Sequence, residues 1–408
     1  MAPVFVPFAT RGRELRTRPE RRSPVTDTIV AEDASGSSFE LLAREVLIHG
    51  PVSRAELGRR LGLSPASLTR LARPLLDGGL VVEGPEQSIG VGRPARPLDI
   101  RADALSFAGV KITGTEALAV RTDLRARTER ELVRALPSTE PADVIAAIVS
   151  VVHELGGASA FAGLGVTLGG SIAADGRVSR APFLGWRDVD LAAPLSAALG
   201  LPVALENDVV ALTGAEHWFG RGRGISHFAV LTVGAGVGYG LVVHDRVVAP
   251  PEAGLGLGEH YPLDATGPVC EAGHRGCSTA MLSLPSLLRQ LFVATGRELT
   301  LADGFAAARA GDAGAARVLA DSARALGTMI AAIGDLSMSG TIILAGEGVA
   351  LYSEQAAAVD AAIAAARDPD APPLSLLVVD GGLVEWARGA AATAIQRLLP
   401  RIALRALI

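Results

Sequence analysis

Apolar positions in the first hundred residues fall into three short helical patterns followed by two strand-like runs. Phe39, Leu42 and Val46 share one face of a helix that begins after Ser37, where Glu40 completes a capping box, and stops at His49-Gly50-Pro51. Leu57 and Leu61 lie one turn apart in a second helix, with Ser53 and Glu56 as another capping box. Leu61-Gly62-Leu63 makes the turn. Ser64 caps a third helix with Pro65 at its first position, where a missing N–H costs nothing, and Leu68, Leu71 and Leu75 face inward. Leu80-Val81-Val82 and Leu98 to Ile100 then read as strands flanking a Gly/Pro-rich loop. This order predicts a winged helix-turn-helix over 37–101, preceded by a flexible tail over 1–36.

The inward leucines leave Ala66, Ser67, Thr69, Arg70 and Arg73 on the outer face of the third helix. Small and hydroxyl side chains beside arginine suit a helix that enters a DNA major groove. The loop between the strands carries Gly92-Arg93-Pro94 and Arg96, so Arg93 and Pro94 form a stiff basic tip able to reach a minor groove. Residues 53–76 hold five arginines against one acid, Glu56. A helical pair with a solvated basic face would show the same charge, but it does not require the flanking helix and wing.

Beyond residue 102 the pattern becomes α/β. Ser106–Lys111, Leu118–Asp123 and Arg127–Val133 predict consecutive strands, and Pro141–Leu155 a helix. A strand over Leu164–Thr167 runs into Gly169-Gly170. Leu191–Leu199 predicts a helix, and Val203–Glu206 a strand that meets a helix at Asn207-Asp208. The theme restarts with strands Phe228–Val233 and Tyr239–Val243 around a glycine turn. Helices near 301–310 and 315–335, strands Thr341–Leu344 and Leu374–Val379, and a last helix from about Leu383 follow. Two such passages predict a duplicated two-lobe fold with a cleft between the lobes. The expected division is 102–209 plus the C-terminal helix for the first lobe and 210–383 for the second.

Composition narrows the function. A chain of 408 residues can bury more than one core, and its net charge of −5 excludes a protein that coats polyanions along its whole surface. Residues 1–100 carry 14 basic and 12 acidic side chains, leaving 24 basic and 31 acidic in the remainder, so any DNA contact belongs to the N-terminal module. The arginines from Arg11 to Arg22 add at most weak phosphate attraction and otherwise form a solvated tail. Two cysteines imply no disulfide framework and fit a reducing cytoplasm. No apolar run approaches the roughly 18 residues that span a bilayer, and the N-terminus has its apolar and basic parts in the reverse order of a signal peptide. No membrane partner is expected.

The winged helix followed by GVTLGGSI, APFLGWRDVDL, ALENDV, TVGAGVGYGLVV, H-x9-C-x6-C and ILAGEG resembles the ROK family of sugar-responsive repressors and sugar kinases, from about residue 38 to the C-terminus. The resemblance implies an actin/hexokinase-like (ribonuclease H-like) fold for the large region. It also implies a regulator whose DNA affinity depends on a sugar or sugar derivative.

Each motif also has its own physical reading. Thr232 to Gly238 is a glycine turn whose amides can cradle phosphate, or which serves only to connect strands. In the family's kinases an Asp-x-Gly-Gly-Thr element helps hold the metal–nucleotide phosphates, and here the matching positions are Lys111 to Thr115. An ammonium repels the Mg²⁺ that a carboxylate organises, which argues against phosphoryl transfer. Glu206-Asn207-Asp208 ends a strand at the cleft, and the resemblance makes Asn207 and Asp208 sugar contacts; helix capping accounts for the same residues. Gly169 and Gly170 let backbone approach a ligand, or form a plain turn.

His260, Cys270 and Cys277 match the family's zinc spacing with one cysteine replaced by Ala272. An incomplete set predicts well under one zinc per chain unless His274 or Glu271 moves in, and buried free thiols are the alternative. The family's two acidic sugar contacts around this motif correspond to Leu257 and Thr279, and Glu259 can substitute for the first only if its loop has shifted. Glu259 and His260 therefore complete the candidate ligand set. The expectation is a non-enzymatic repressor acting on a double-stranded operator as a homodimer or homotetramer. A sugar kinase carrying a DNA-binding module, or a regulator answering to a protein partner, is the competing reading.

Overall fold

The computed structural model describes residues 37–86, 96–250 and 252–405. Arg93, Pro94 and the 1–36 segment lie outside them. Helices α1 (Ser38–His49), α2 (Arg54–Leu61) and α3 (Pro65–Asp77) precede strands β1 (Val81–Glu83) and β2 (Leu98–Ile100), which pair antiparallel. Leu42, Val46, Leu57, Leu68, Leu75 and Leu98 are buried between them, as the helical spacing requires. Gly62 ends α2 in the left-handed conformation, at φ 64°, and sets the angle to α3.

Both halves of the capping box form at Ser37 and Glu40. At Ser53 only one half forms. The Glu56 amide donates to Ser53 Oγ at 3.2 Å, while the Glu56 carboxylate accepts from Arg60 Nε at 2.7 Å and pairs with Arg59. A charge-assisted hydrogen bond to guanidinium outcompetes one to a neutral backbone N–H.

The larger region holds two five-stranded sheets of the same topology. In the first, β3 (Phe107–Ile112), β4 (Glu116–Thr122) and β5 (Thr128–Ala135) form an antiparallel meander. After α4 (Pro141–Leu155), β6 (Gly163–Leu168) joins β3 in parallel. A three-stranded meander of β7 (Ser171–Ile172), β8 (Val178–Ala181) and β9 (Trp186–Val189) follows. Then come α5 (Ala192–Leu199), β10 (Val203–Asn207), which pairs with β6, and α6 (Asp208–Phe219).

The second sheet repeats the plan. Strands β11 (Phe228–Val233), β12 (Val237–Val243) and β13 (Arg246–Val247) form the meander, ahead of α7 (Ser278–Leu282), α8 (Leu284–Thr295), α9 (Leu301–Arg309) and α10 (Ala313–Ser337). Strand β14 (Thr341–Ala345), α11 (Ala350–Ala366), β15 (Ser375–Val378) and α12 (Gly382–Arg405) complete the chain, with β14 and β15 parallel to β11. The strands β8 and β9 and the helices α7, α8 and α11 were not anticipated from the pattern. Helix α11 is alanine-rich and shows no apolar period to read.

Helices α6 and α12 lie against each other, and α12 crosses β3, β4, β6 and β10. Leu212 of α6 and Trp386 of α12 also join a buried cluster with Phe228, Val230 and Ile343 of the second sheet. A lobe boundary at 209–210 therefore falls inside a single helix that serves both lobes. The far end of α12 shares a core with the winged helix: Leu398, Leu399 and Ala403 belong to the same cluster as Leu42, Val46 and Leu98.

Candidate functional site

Strands β3 and β10 flank β6 in parallel, so their C-terminal ends meet on one edge, where open α/β sheets place ligands. There Lys111, next to last in its strand, stands beside Asp208, the first residue of α6; the two are paired, with Lys111 buried and Asp208 half-buried. The Lys111 ammonium also stands 5.3 Å from the centroid of the Trp386 ring. These residues form one wall of a cleft of about 300 Å³ between the lobes.

Asn207 serves both roles that its position allows. Its Oδ1 accepts from the amides of Val209 and Val210 at 3.0 and 3.1 Å, capping α6, while Nδ2 donates to the Gly170 carbonyl at 3.0 Å. The side chain borders the cleft, but it is occupied mainly in tying the helix start to the Gly169-Gly170 turn. A Cβ on Gly170 would lie 2.2 Å from the Arg180 carbonyl oxygen, so only glycine allows that turn. Arg180 and Phe183, which the sequence reading did not single out, line the cleft from the segment after this turn.

The second lobe contributes the 234–240 turn, the loop 253–259 and Glu347. Glu259 does reach the cleft. Burial holds its carboxyl above the ordinary carboxylate range, with Arg180 opposing and Asp208 adding to the shift. Leu257 stands exposed at the rim, and Thr279 donates its hydroxyl to the Glu259 carbonyl at 2.6 Å.

His260 departs from its expected place among the ligand contacts. It is absent from the cleft lining and turns its ring to the cysteines, because the chain after Glu259 is drawn to Ser278 and Thr279 by backbone hydrogen bonds. Its Nδ1 lies 3.8 Å from Cys270 Sγ and 3.7 Å from Cys277 Sγ, and His274 Nδ1 lies 3.8 Å from Cys270 Sγ. Zinc bonds of about 2.3 Å to sulfur and about 2.0 Å to nitrogen at tetrahedral angles put S and N about 3.5 Å apart. His260, Cys270 and His274 hold one ligand atom each within 4.8 Å of one another, while Cys277 stands beside His260. His274 is brought beside Cys270 because Gly273, at φ 86°, folds the chain so that Cys270 N donates to His274 O at 2.9 Å.

The model of the ROK family matches residues 107–396 of this chain. The chain belongs to the ROK family. The xylose repressor of Bacillus subtilis is 26% identical over 258 residues, covering 62% of this chain and 67% of that protein. The crystal structure of a ROK family transcriptional regulator described as a homolog of the E. coli MLC protein superposes with a TM-score of 0.74 at 25% identity, over 91% of this chain and 98% of that one. A ROK glucokinase from Streptomyces griseus, solved with glucose and AMPPNP, gives a TM-score of 0.60 at 23% identity over 71% of this chain and 99% of that one, a likeness of fold alone.

Two glycine-bearing turns of the cleft carry further polar side chains. Thr113 turns its hydroxyl into its own turn, donating to Glu116 O at 3.1 Å and accepting from Glu116 N at 3.0 Å. At the equivalent turn of the second lobe, a Cβ on Gly234 would meet Glu347 Oε2 at 2.3 Å. A carboxylate therefore rests against the backbone of that turn. The signal for Glu347 was present in the ILAGEG motif as a lone acid between glycines.

In the N-terminal module, α3 exposes Ala66, Thr69, Arg70 and Arg73, with Ser67 half-buried. Thr69 donates its hydroxyl to the Pro65 carbonyl at 2.9 Å, and Arg73 lies 3.5 Å from Asp77. Arg70 has no side-chain partner among the described residues. Arg54 bonds Glu83 at 2.6 Å and the Arg96 carbonyl at 3.3 Å, fixing the wing strands to α2.

Proposed function

We propose that this ROK protein is a DNA-binding transcriptional repressor whose two-lobe domain binds a sugar or sugar derivative without phosphorylating it. The pairing of Lys111 with Asp208 carries the reading. A general base for phosphoryl transfer must be free to take a proton from the attacked hydroxyl, and a metal site for nucleotide phosphates needs anionic ligands. Here the carboxylate is tied to an ammonium, and Glu347 adds negative charge at the phosphate turn. What remains is a cleft with acceptors and donors for hydroxyls, joined through α12 to a winged helix with a basic outer face. The repressor named among its relatives supports the sign of regulation.

The protein is expected to act as a homodimer or homotetramer, since paired half-sites require paired recognition helices. Zinc held by His260, Cys270, His274 and Cys277 would staple the loop that delivers Glu259 to the cleft; it takes no part in chemistry there. The direct test is retardation of operator DNA. Arg70→Ala should weaken specific binding by about 1–3 kcal/mol, the range for a bidentate base contact. Unchanged binding by a folded Arg70→Ala protein would remove α3 from the DNA interface.

A further inference from the structure

Exposed apolar side chains gather at the cleft. Fourteen large hydrophobic residues stand exposed among the described residues, and five of them, Phe183, Tyr239, Val248, Leu255 and Leu257, line it. Phe183 is 57% exposed and Leu257 63%. The Phe183 ring lies against Gly169, where a Cβ would be 3.2 Å from the ring and 3.5 Å from Asp208 Oδ2. It therefore stands directly beside the polar floor. Leu255 and Leu257 belong to the second-lobe loop that crosses to the first lobe, where a Cβ on Gly254 would meet the Gly170 carbonyl oxygen at 2.1 Å. Apolar groups from both lobes thus line one cleft together with Asp208, Lys111 and Glu259.

The polar capacity of the same cleft is limited. Lys111 and Asp208 pair with each other, and Asn207 is engaged in its cap, which leaves Arg180, Glu259 and Glu347 as the other charged groups of the lining. A ligand made only of hydroxyl groups would leave the exposed Phe183, Leu255 and Leu257 side chains uncovered. Clustered exposed apolar surface around a few convergent polar groups is the usual form of a site for an amphipathic small molecule.

We infer that the effector is a sugar bearing an apolar substituent, an aryl or alkyl glycoside, with its hydroxyls at Asp208 and Glu259 and its apolar group between Phe183 and Leu257. The inference rests on the ligand-sensing reading of this cleft. Calorimetric titration of the full chain with glucose, galactose, mannose, xylose and N-acetylglucosamine, and with the phenyl glycoside of each, tests it. For at least one sugar the phenyl glycoside should bind about tenfold or more tightly than the free sugar. Phe183→Ala and Leu257→Glu should each erase most of that advantage, read as the ratio of glycoside to free-sugar affinity within each variant. If a free sugar binds and its glycoside binds no tighter, this inference falls and the sugar-responsive reading stands. Absence of binding by every sugar and every glycoside overturns both. A glycoside preference that survives both substitutions removes the apolar rim as its cause.

Discussion

Ala272 stands where a thiolate was expected, and a tight turn at Gly273 sets the His274 imidazole beside Cys270, which is the basis of the proposed zinc site. Protein purified without chelator or added metal should then carry about one zinc per chain, the four-ligand stoichiometry of a structural site. Elemental analysis checks this, together with His274→Ala and Cys270→Ala. Both variants should lose metal to a mild chelator sooner than the parent and melt at lower temperature. Equal metal retention in all three proteins would leave the two cysteines as plain buried thiols.

Helix α12 depends on two glycines in the strands it crosses. A Cβ on Gly165 of β6 would lie 1.7 Å from the Ala390 carbonyl oxygen, and one on Gly109 of β3 would lie 2.2 Å from that of Ala387. Backbone therefore packs on backbone, and the alanine run from Ala390 to Ala392 keeps the helix close. Gly165→Ala should cost about 1–3 kcal/mol, the range for overpacking a tight core. Chemical denaturation reads the loss. A shift of less than a few tenths of a kcal/mol would mean that α12 can slide without penalty. The same helix carries Arg397, which bonds Glu206 at 2.5 Å, and Arg388, which bonds buried Glu216 at 2.5 Å, so its register against β10 and α6 is set by charge as well as shape.

At the scale of the whole molecule, the cleft and the winged helix share rigid parts. Helix α12 has Trp386 at the cleft and its later turns in the winged-helix core, while Arg223 donates to the Ile48 carbonyl at 3.3 Å and Arg125 pairs with Asp99 of β2. A ligand that touches Asp208 in one lobe and Glu259 in the other favours lobe closure through its differential affinity, and closure can then shift the spacing of paired recognition helices. By linkage, a ligand that weakens operator binding must itself bind the operator-bound protein more weakly by the same factor. Asp208→Ala is expected to abolish the effector response while operator affinity without effector is kept. Because that change strands the buried Lys111 ammonium, Asp208→Asn, which keeps an oxygen acceptor for it, is measured alongside, and both should be silent to effector. Neither they nor the parent should consume ATP with common hexoses. Sugar-dependent turnover that vanishes with Asp208 would place the protein among the ROK kinases.

Local information sufficed for the parts of this protein whose residues interact with near neighbours in the chain. The winged helix was legible because caps at Ser37 and Ser64, the Gly62 turn and the leucine spacing act within one or two helical turns. The two-lobe plan was legible because its strands end in recognisable glycine turns. Lys111 in place of a carboxylate was likewise visible in the chain itself. What only the tertiary structure decided are contacts between distant segments. These include the Lys111–Asp208 pair, Glu347 lying on the Gly234 turn, His274 joining His260 at the cysteines, and His260 turning away from the cleft. Each depends on how loops are carried by separate strands and helices, and no periodicity encodes that. Alanine-rich α11 and the backbone-to-backbone seat of α12 were hidden for a related reason: small residues pack by shape, which leaves no alternation of apolar and polar positions to read.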